Sequence, residues 1–311
     1  MAALGRPGYI NLGHNEDLKR VYDPLVMEKH ASEVLDLAYK HGIRYFDVAR
    51  SYGKGEEFLA NWINNLPDKR SLIVGSKWGY TYTAGWKVQA SKHEVKEHSL
   101  EVLQKQYPQS QKNLGENLKI YHIHSATPDS KVLENPAVIE RLWELKRSGI
   151  IPGLSLSGTS QGETLEKAMT IQRDGVYLFQ SVQVTWNILE QSTTEILKKA
   201  QAAGFGIIVK ESLANGRLTA RNSEASFADK KAVLDKLSAK YQVGIDALSM
   251  AFVLKQPWVS VVLSGAATKQ HLLSNLQANE INISEEDIKS LAALKETPEV
   301  YWNKRASLEW N

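Results

Sequence analysis

IRYFDVA (43–49), SLIVGSKW (71–78) and LKIYHIHS (118–125) are three short apolar runs, each ending in polar residues. Near-continuous apolarity over so few positions is the pattern of strands buried on both faces of a parallel sheet. The pattern returns at IPGLSLSG (151–158), YLFQSVQVTW (177–186), FGIIVKES (205–212) and WVSVVLSG (258–265). Amphipathic helical patterns fill the gaps, at 28–41, 54–65, 90–107, 134–148, 160–173, 190–203, 230–241, 244–255 and 268–278. Gly42, Gly149 and Gly204 each stand between a helix and a strand, as left-handed C-terminal caps do. Asn135-Pro136 fits an N-cap followed by proline at the first helical position.

Strand–helix alternation implies βαβ units. Seven such strands without a linker, and no GxGxxG opening a helix, predict a (β/α)8 TIM barrel rather than an open dinucleotide-binding sheet. Only residues 2–12 remain for the first barrel strand, and MAALG is a poor strand sequence. That strand is therefore expected to be short, truncated or irregular. The whole span 1–311 reads as a single domain. Outside the repeat lie a polar loop at 214–229 and an extra helix at 284–296, opened by Ser284 and Asp287 as an approximate capping box. A C-terminal tail follows, with two of the eight tryptophans, and is expected to pack on the body or over a pocket.

Composition narrows the function. Apolar content of 42% and charged content of 23% are ordinary for a globular protein. A net charge of +3 with no basic stripe argues against nucleic acid or an anionic membrane as partner. The absence of cysteine excludes disulfides, thiolate chemistry and Cys-ligated zinc. No apolar run is long enough to span a bilayer, and the first residues lack a secretory pattern. A cytoplasmic enzyme acting on a small molecule is the expectation.

Active sites of such barrels lie at the carboxyl ends of the strands. Asp47, Lys77 and His124 sit at or near such ends, and Tyr52 sits in the loop after one. A free tyrosine ionises near pH ~10, too high for an efficient acid at neutral pH, and an adjacent ammonium lowers that value. Lys77 can act so, Asp47 can hold Lys77 charged, and His124 can donate to a substrate oxygen. The four suit proton transfer to or from a carbonyl oxygen. His122 and His124 also form an HxH pair on one side of a strand, which suits a metal-dependent hydrolase. The other six histidines (14, 30, 41, 93, 98 and 271) fall in loops or helices, so no third ligand is evident. Trp78, Tyr80, Tyr82 and Trp86 follow the lysine strand and could form an aromatic wall for a substrate.

GIRYFDVARSYGKGEEFL (42–59) resembles the aldo-keto reductase signature, a strand delivering DxAxxYG before a helix opened by GxxE. VGSKW and IYHIHSAT resemble that family's lysine and histidine strands. GIIPGLSLSG, VQVTWNIL, GFGIIVKESLANGRLT and SGAATKQHLLSNL follow in the family's order, so the resemblance covers residues 3–280. It implies an NAD(P)H-dependent oxidoreductase acting on an aldehyde, a ketone or the corresponding alcohol. The cofactor, NADP(H) first and NAD(H) second, would lie extended across the barrel mouth, and Tyr52 would supply the proton.

By the same resemblance, Ser155 and Gln183 would hold the carboxamide. Ser212, Leu213, Asn215 and Gly216 would line the pyrophosphate, and Ser264, Gly265, Ala266, Thr268, His271 and Asn275 the adenosine end. Lys210 stands where the family usually has an aromatic stacked on the nicotinamide, a role Trp186 could take. Leu156 replaces a usual asparagine, with Ser157 nearby. Ala267 replaces the arginine that meets a 2′-phosphate, for which Lys269, His271 or Arg217 could supply charge. Two other readings stay open: a cofactor-binding regulatory or redox-sensing barrel with little turnover, and the metal-dependent hydrolase.

Overall fold

A computed structural model describes residues 1–311. Seven parallel strands form one curled sheet in chain order: β1 (Tyr45–Asp47), β2 (Ile73–Trp78), β3 (Leu118–Ala126), β4 (Ile151–Leu156), β5 (Ser181–Thr185), β6 (Gly206–Lys210) and β7 (Val261–Val262). Six lie within the apolar runs read from the sequence, and β3 exceeds its run by one residue, Ala126. Helices α1 (Pro24–Lys40), α2 (Gly55–Asn64), α3 (Leu100–Leu114), α4 (Pro136–Arg147), α5 (Gln161–Met169) and α6 (Thr194–Ala202) alternate with the strands. α7 (Ala228–Tyr241) and α8 (Ile245–Leu254) precede β7; α9 (Lys269–Leu276), α10 (Glu285–Ala292) and α11 (Pro298–Ala306) follow it. The arrangement is a (β/α) barrel with irregular strands. No helix is long and apolar enough to cross a membrane.

α1 shows why the helices form where they do. Met27, Ala31, Val34, Leu35 and Ala38 recur at helical spacing and are the residues it buries. The Asp23 side chain accepts from Leu25 and Val26 N–H, and Pro24 occupies a first-turn position that needs no N–H. Gly42, Gly149 and Gly204 all adopt positive φ just past their helices.

Residues 2–12 form no strand, and the sheet is not hydrogen-bonded between β1 and β7. This first segment crosses the barrel mouth instead. The Met1 ammonium donates to the Asp47 carbonyl at 2.8 Å, Lys54 N–H to Gly5 at 2.8 Å, and Leu12 N–H to Asn215 at 3.1 Å. Tyr9 and Asn311 exchange two backbone hydrogen bonds of 3.0 and 3.1 Å, so the C-terminal residues lie over the same mouth.

Three expected elements differ. Residues 90–107 are not one helix: Tyr80–Tyr82 and Glu94–Lys96 pair as an antiparallel hairpin, and α3 starts only at Leu100, capped by Ser99. The Thr81–Val95 pairing satisfies backbone groups that a helix would otherwise need. The tail contains α11, with Thr297 as its cap and Pro298 in its first turn. The 214–229 loop contains two short 3-10 turns, Ala214–Gly216 and Ala225–Phe227.

The interior of the barrel is polar toward its mouth. Lys77 aligns with His122, and Ser155 with Gln183, which places each pair on one face of the sheet. Two glycines make room for it. A Cβ at Gly75 would meet the Tyr45 hydroxyl at 2.3 Å, and one at Gly153 would meet the His122 ring at 2.5 Å.

Candidate active site

Asp47, Lys77, His124 and Tyr52 meet at the barrel mouth. The Lys77 ammonium is bonded to Asp47 Oδ1 and donates to the Val48 carbonyl at 3.0 Å. Gln183 Nε2 donates to Asp47 Oδ2 at 2.7 Å. Burial opposes the Asp47 charge, but Lys77, the Met1 ammonium and the Lys77 hydrogen bond outweigh it and hold the carboxyl below its usual range.

The Tyr52 ring lies 4.9 Å from Lys77 Nζ and 5.7 Å from the His124 ring, edge-on. Burial first, and then Asp47, pushes the Tyr52 phenol well above its ordinary pKa. Burial and the nearby cations Lys77, Arg6 and Lys210 push His124 well below its ordinary value, so the imidazole is neutral. His98 Nε2 sits 2.8 Å from the His124 carbonyl, and Tyr80 packs on the His124 ring at 4.7 Å. Neither the Tyr52 hydroxyl nor His124 Nε2 is hydrogen-bonded to protein; both residues line the main cavity.

That cavity holds about 670 Å³. Ser155, Ser157, Gln183 and Lys210 line it with Asp47, Tyr52 and His124, and Lys77 lies buried behind them. Lys210 donates to Thr185 Oγ1 at 2.5 Å, and burial lowers its pKa to about 8 against the pull of Glu211. A second cavity of about 240 Å³ shares Tyr9, Glu211, Leu263, Ser264, Gly265 and Ala266 with the first. Ser212, Leu213, Asn215, Gly216, His271 and Asn275 line it. The Asn215 and Asn275 side-chain oxygens are buried without partners. A Cβ at Gly265 would project into open space. Thr268 lies outside both linings and caps α9, accepting from His271 N–H.

Several expected residues are elsewhere. Trp78 is fully buried, packed edge-on against His98, and lines neither cavity. Trp86 packs on Phe58 and donates to the Tyr22 carbonyl, so of the expected aromatic wall only Tyr80 reaches the cavity. Trp186 is stacked on Phe252 in the core and cannot stand in for an aromatic at Lys210. Arg217 makes two hydrogen bonds to Glu296, and Lys269 pairs with Glu33. His122 contacts Ser181 Oγ at 3.1 Å, and no group of three or more potential ligand side chains is arranged to hold a metal.

Other lining residues escaped the sequence reading: Arg6, Tyr9, Glu94, Glu211, Arg305 and Trp310. Glu211 directly follows β6, within the run read as a strand; the others come from the first segment, the hairpin and the tail, which no strand-end pattern marks. Arg305 forms a forked pair with Glu211, with Nε–O distances of 2.9 and 3.0 Å.

Residues 19–296 match the model of the aldo/keto reductase family. Pyridoxal 4-dehydrogenase of Microbacterium luteolum is 26% identical, over 91% of this chain and 94% of its own. An uncharacterized oxidoreductase of Bacillus subtilis, YqkF, is 25% identical over 84% of this chain and 86% of its own. The holo form of an aldo-keto reductase from Bacillus halodurans superposes with a TM-score of 0.71 at 20% identity, covering 90% of each chain. With the family model spanning nearly the whole barrel and the mouth built as described, the chain belongs to the aldo/keto reductase family and is an NAD(P)H-dependent oxidoreductase.

Proposed function

We propose that this protein reduces the carbonyl of a small aldehyde or ketone, or oxidises the corresponding alcohol, with Tyr52 as general acid or base. The observation that carries this reading is the Tyr52 hydroxyl, free of protein partners beside neutral His124 and the Lys77–Asp47 pair, in the main cavity.

The two joined cavities suit an extended dinucleotide. The orphaned oxygens of Asn215 and Asn275 are acceptors for hydroxyl or amine donors, and Gly265 leaves a cradle that a side chain would fill. The start of α9 offers backbone N–H groups and a positive dipole end to phosphate. When bound, the nicotinamide supplies or accepts the hydride. The chain's residues do the rest. Ser155 and Gln183 lie on one face to orient a carboxamide. His124, neutral, donates from its ring to the substrate oxygen and orients it. Tyr52 gives its proton to that oxygen as the carbon–hydrogen bond forms, and takes it back in the reverse direction. Tyr9, Tyr80 and Trp310 offer apolar faces, while Arg6 and Glu94 offer polar edges. NADP(H) or NAD(H) fits this reading. The cation toward the second cavity is Arg221, which donates to Asp17, and His271 Nε2 lies 3.5 Å from the same carboxylate.

The test is fluorescence titration with NADPH and with NADH, alongside benzaldehyde reduction, for wild type and Tyr52→Phe. The expected result is cofactor binding in both proteins and a loss of turnover of roughly 10²-fold or more in the variant. Wild-type turnover by Tyr52→Phe removes Tyr52 as the acid. Binding of neither cofactor removes the reading altogether.

A further inference from the structure

Lys77 is one cation beside Tyr52, its Nζ 4.9 Å from the ring centre. It is bonded to Asp47, and both side chains are at least nine-tenths buried. The carboxylate offsets part of the ammonium charge at the ring. Among the charges acting on the phenol, Asp47 opposes ionisation most, Arg6 favours it, and Glu94 and Glu211 oppose it.

Arg6 is differently placed. Its guanidinium carbon lies 5.2 Å from the Tyr52 ring centre, 5.3 Å from that of Tyr9 and 4.7 Å from that of Trp310. Nη1 donates to the carbonyl of Ser51, the residue before Tyr52, at 3.2 Å and to Glu94 Oε2 at 3.0 Å. Nε is buried without a partner. The Arg6 side chain is 4% exposed and that of Glu94 22%, so water screens the carboxylate more than the guanidinium. Arg6 therefore adds a second, only partly offset positive charge beside the ring.

We propose that Arg6 is a positioning residue for Tyr52: braced by Ser51 and Glu94, it holds the phenol ring and adds to Lys77 a second positive charge that favours the phenolate during proton transfer. The inference rests on Tyr52 being the proton donor proposed above. In reduction the phenol O–H bond breaks, its proton goes to the carbonyl oxygen, and hydride from the reduced nicotinamide goes to the carbon. The phenolate left behind faces Arg6 until water reprotonates it. The other groups around the ring are Tyr9, Asp47, Lys77, Tyr80, Glu94, neutral His124, Lys210, Glu211 and Arg305.

The experiment follows kcat/KM against pH for benzaldehyde reduction and benzyl alcohol oxidation. It also follows Tyr52 ionisation through the phenolic-carbon NMR resonance of labelled tyrosine, assigned by its loss in Tyr52→Phe. Arg6→Met should move the alkaline limb and the onset of the Tyr52 titration upward by roughly one pH unit. Arg6→Lys should recover much of that shift, and Glu94→Gln should move both readouts downward. A lower kcat/KM in Arg6→Met with limb and titration unmoved overturns the proposal, because a residue that only anchors chain or substrate would give that result. If Arg6→Met does not fold, Glu94→Gln decides, and an unmoved or upward shift overturns it. Wild-type turnover in Tyr52→Phe defeats the Tyr52 reading and this inference together. An inactive Tyr52→Phe with an unmoved Arg6→Met defeats this inference alone.

Discussion

Gln183 Nε2 donates to Asp47 Oδ2 at 2.7 Å, joining β5 to β1 across the barrel interior. Asp47 Oδ1 already holds Lys77, and the Asp47 carbonyl holds the Met1 ammonium. One aspartate thus organises donors from three directions. Asp47→Asn removes the charge that offsets Lys77 and leaves an amide facing an ammonium. Breaking a buried pair on one side costs about 3–5 kcal/mol. Denaturant unfolding at neutral pH should show a loss near that range. The variant should also lose much of its dependence on acid, since Asp47 ionises below its usual range in the folded protein.

Glu211 and Arg305 give a second pH prediction. Arg305 brings the Glu211 carboxyl down to about 2, against burial, from an ordinary value of 4.5. A depressed carboxylate stabilises the fold above its unfolded pKa, and that stability is lost as pH falls through the folded value. Stability should therefore fall between about pH 5 and pH 2. Glu211→Gln should flatten that decline while lowering stability at neutral pH, because Arg305 is left without its partner. Urea midpoints measured across this pH range check both halves.

The barrel and its central residues were legible because strand-end chemistry has a local pattern. Asp47, Lys77 and His124 each follow an apolar run, and the structure brings all three to Tyr52. Trp78 misled because it extends β2 by one residue past Lys77. Strand alternation turns it to the outer face, against His98. Arg6, Glu94 and Trp310 were not legible, because nothing local in the sequence ties residue 6 to 94 or 310. Their meeting depends on the first segment crossing the mouth and on Asn311 pairing with Tyr9. The 80–96 hairpin was missed because periodicity over 90–107 does not register a cross-strand pairing made with residues 80–82.

The tail closes the cavity through Trp310, whose ring stacks on His93 at 4.0 Å and lies against Arg6. An aromatic contact of this kind contributes about 1 kcal/mol beyond buried area. Trp310→Ala should raise KM for an aromatic aldehyde several-fold with little change in kcat, the signature of lost uniform binding. Steady-state kinetics check it, and a fall in kcat with unchanged KM would contradict this role for the ring.

Asp17 restrains the charge available at the second cavity. It accepts from both terminal nitrogens of Arg221, at 3.0 Å for Nη1, and lies 3.5 Å from His271 Nε2. Lys269 is paired with Glu33 at 2.9 Å. Arg221 and Lys269 therefore already face carboxylates, and Ala267 adds no charge. A 2′-phosphate would have to compete with Asp17 for Arg221. Asp17→Asn removes the competitor and leaves Arg221 and His271 to the ligand. A new charge-assisted hydrogen bond contributes about 1.5–3 kcal/mol, so the ratio of NADH to NADPH dissociation constants should rise by roughly tenfold or more. Titration of both cofactors against both proteins measures it directly. Equal weakening of NADPH and NADH would show instead that Asp17 serves to hold the first segment to the 214–229 loop, through the hydrogen bonds of Arg221 to the Leu12 and Gly13 carbonyls.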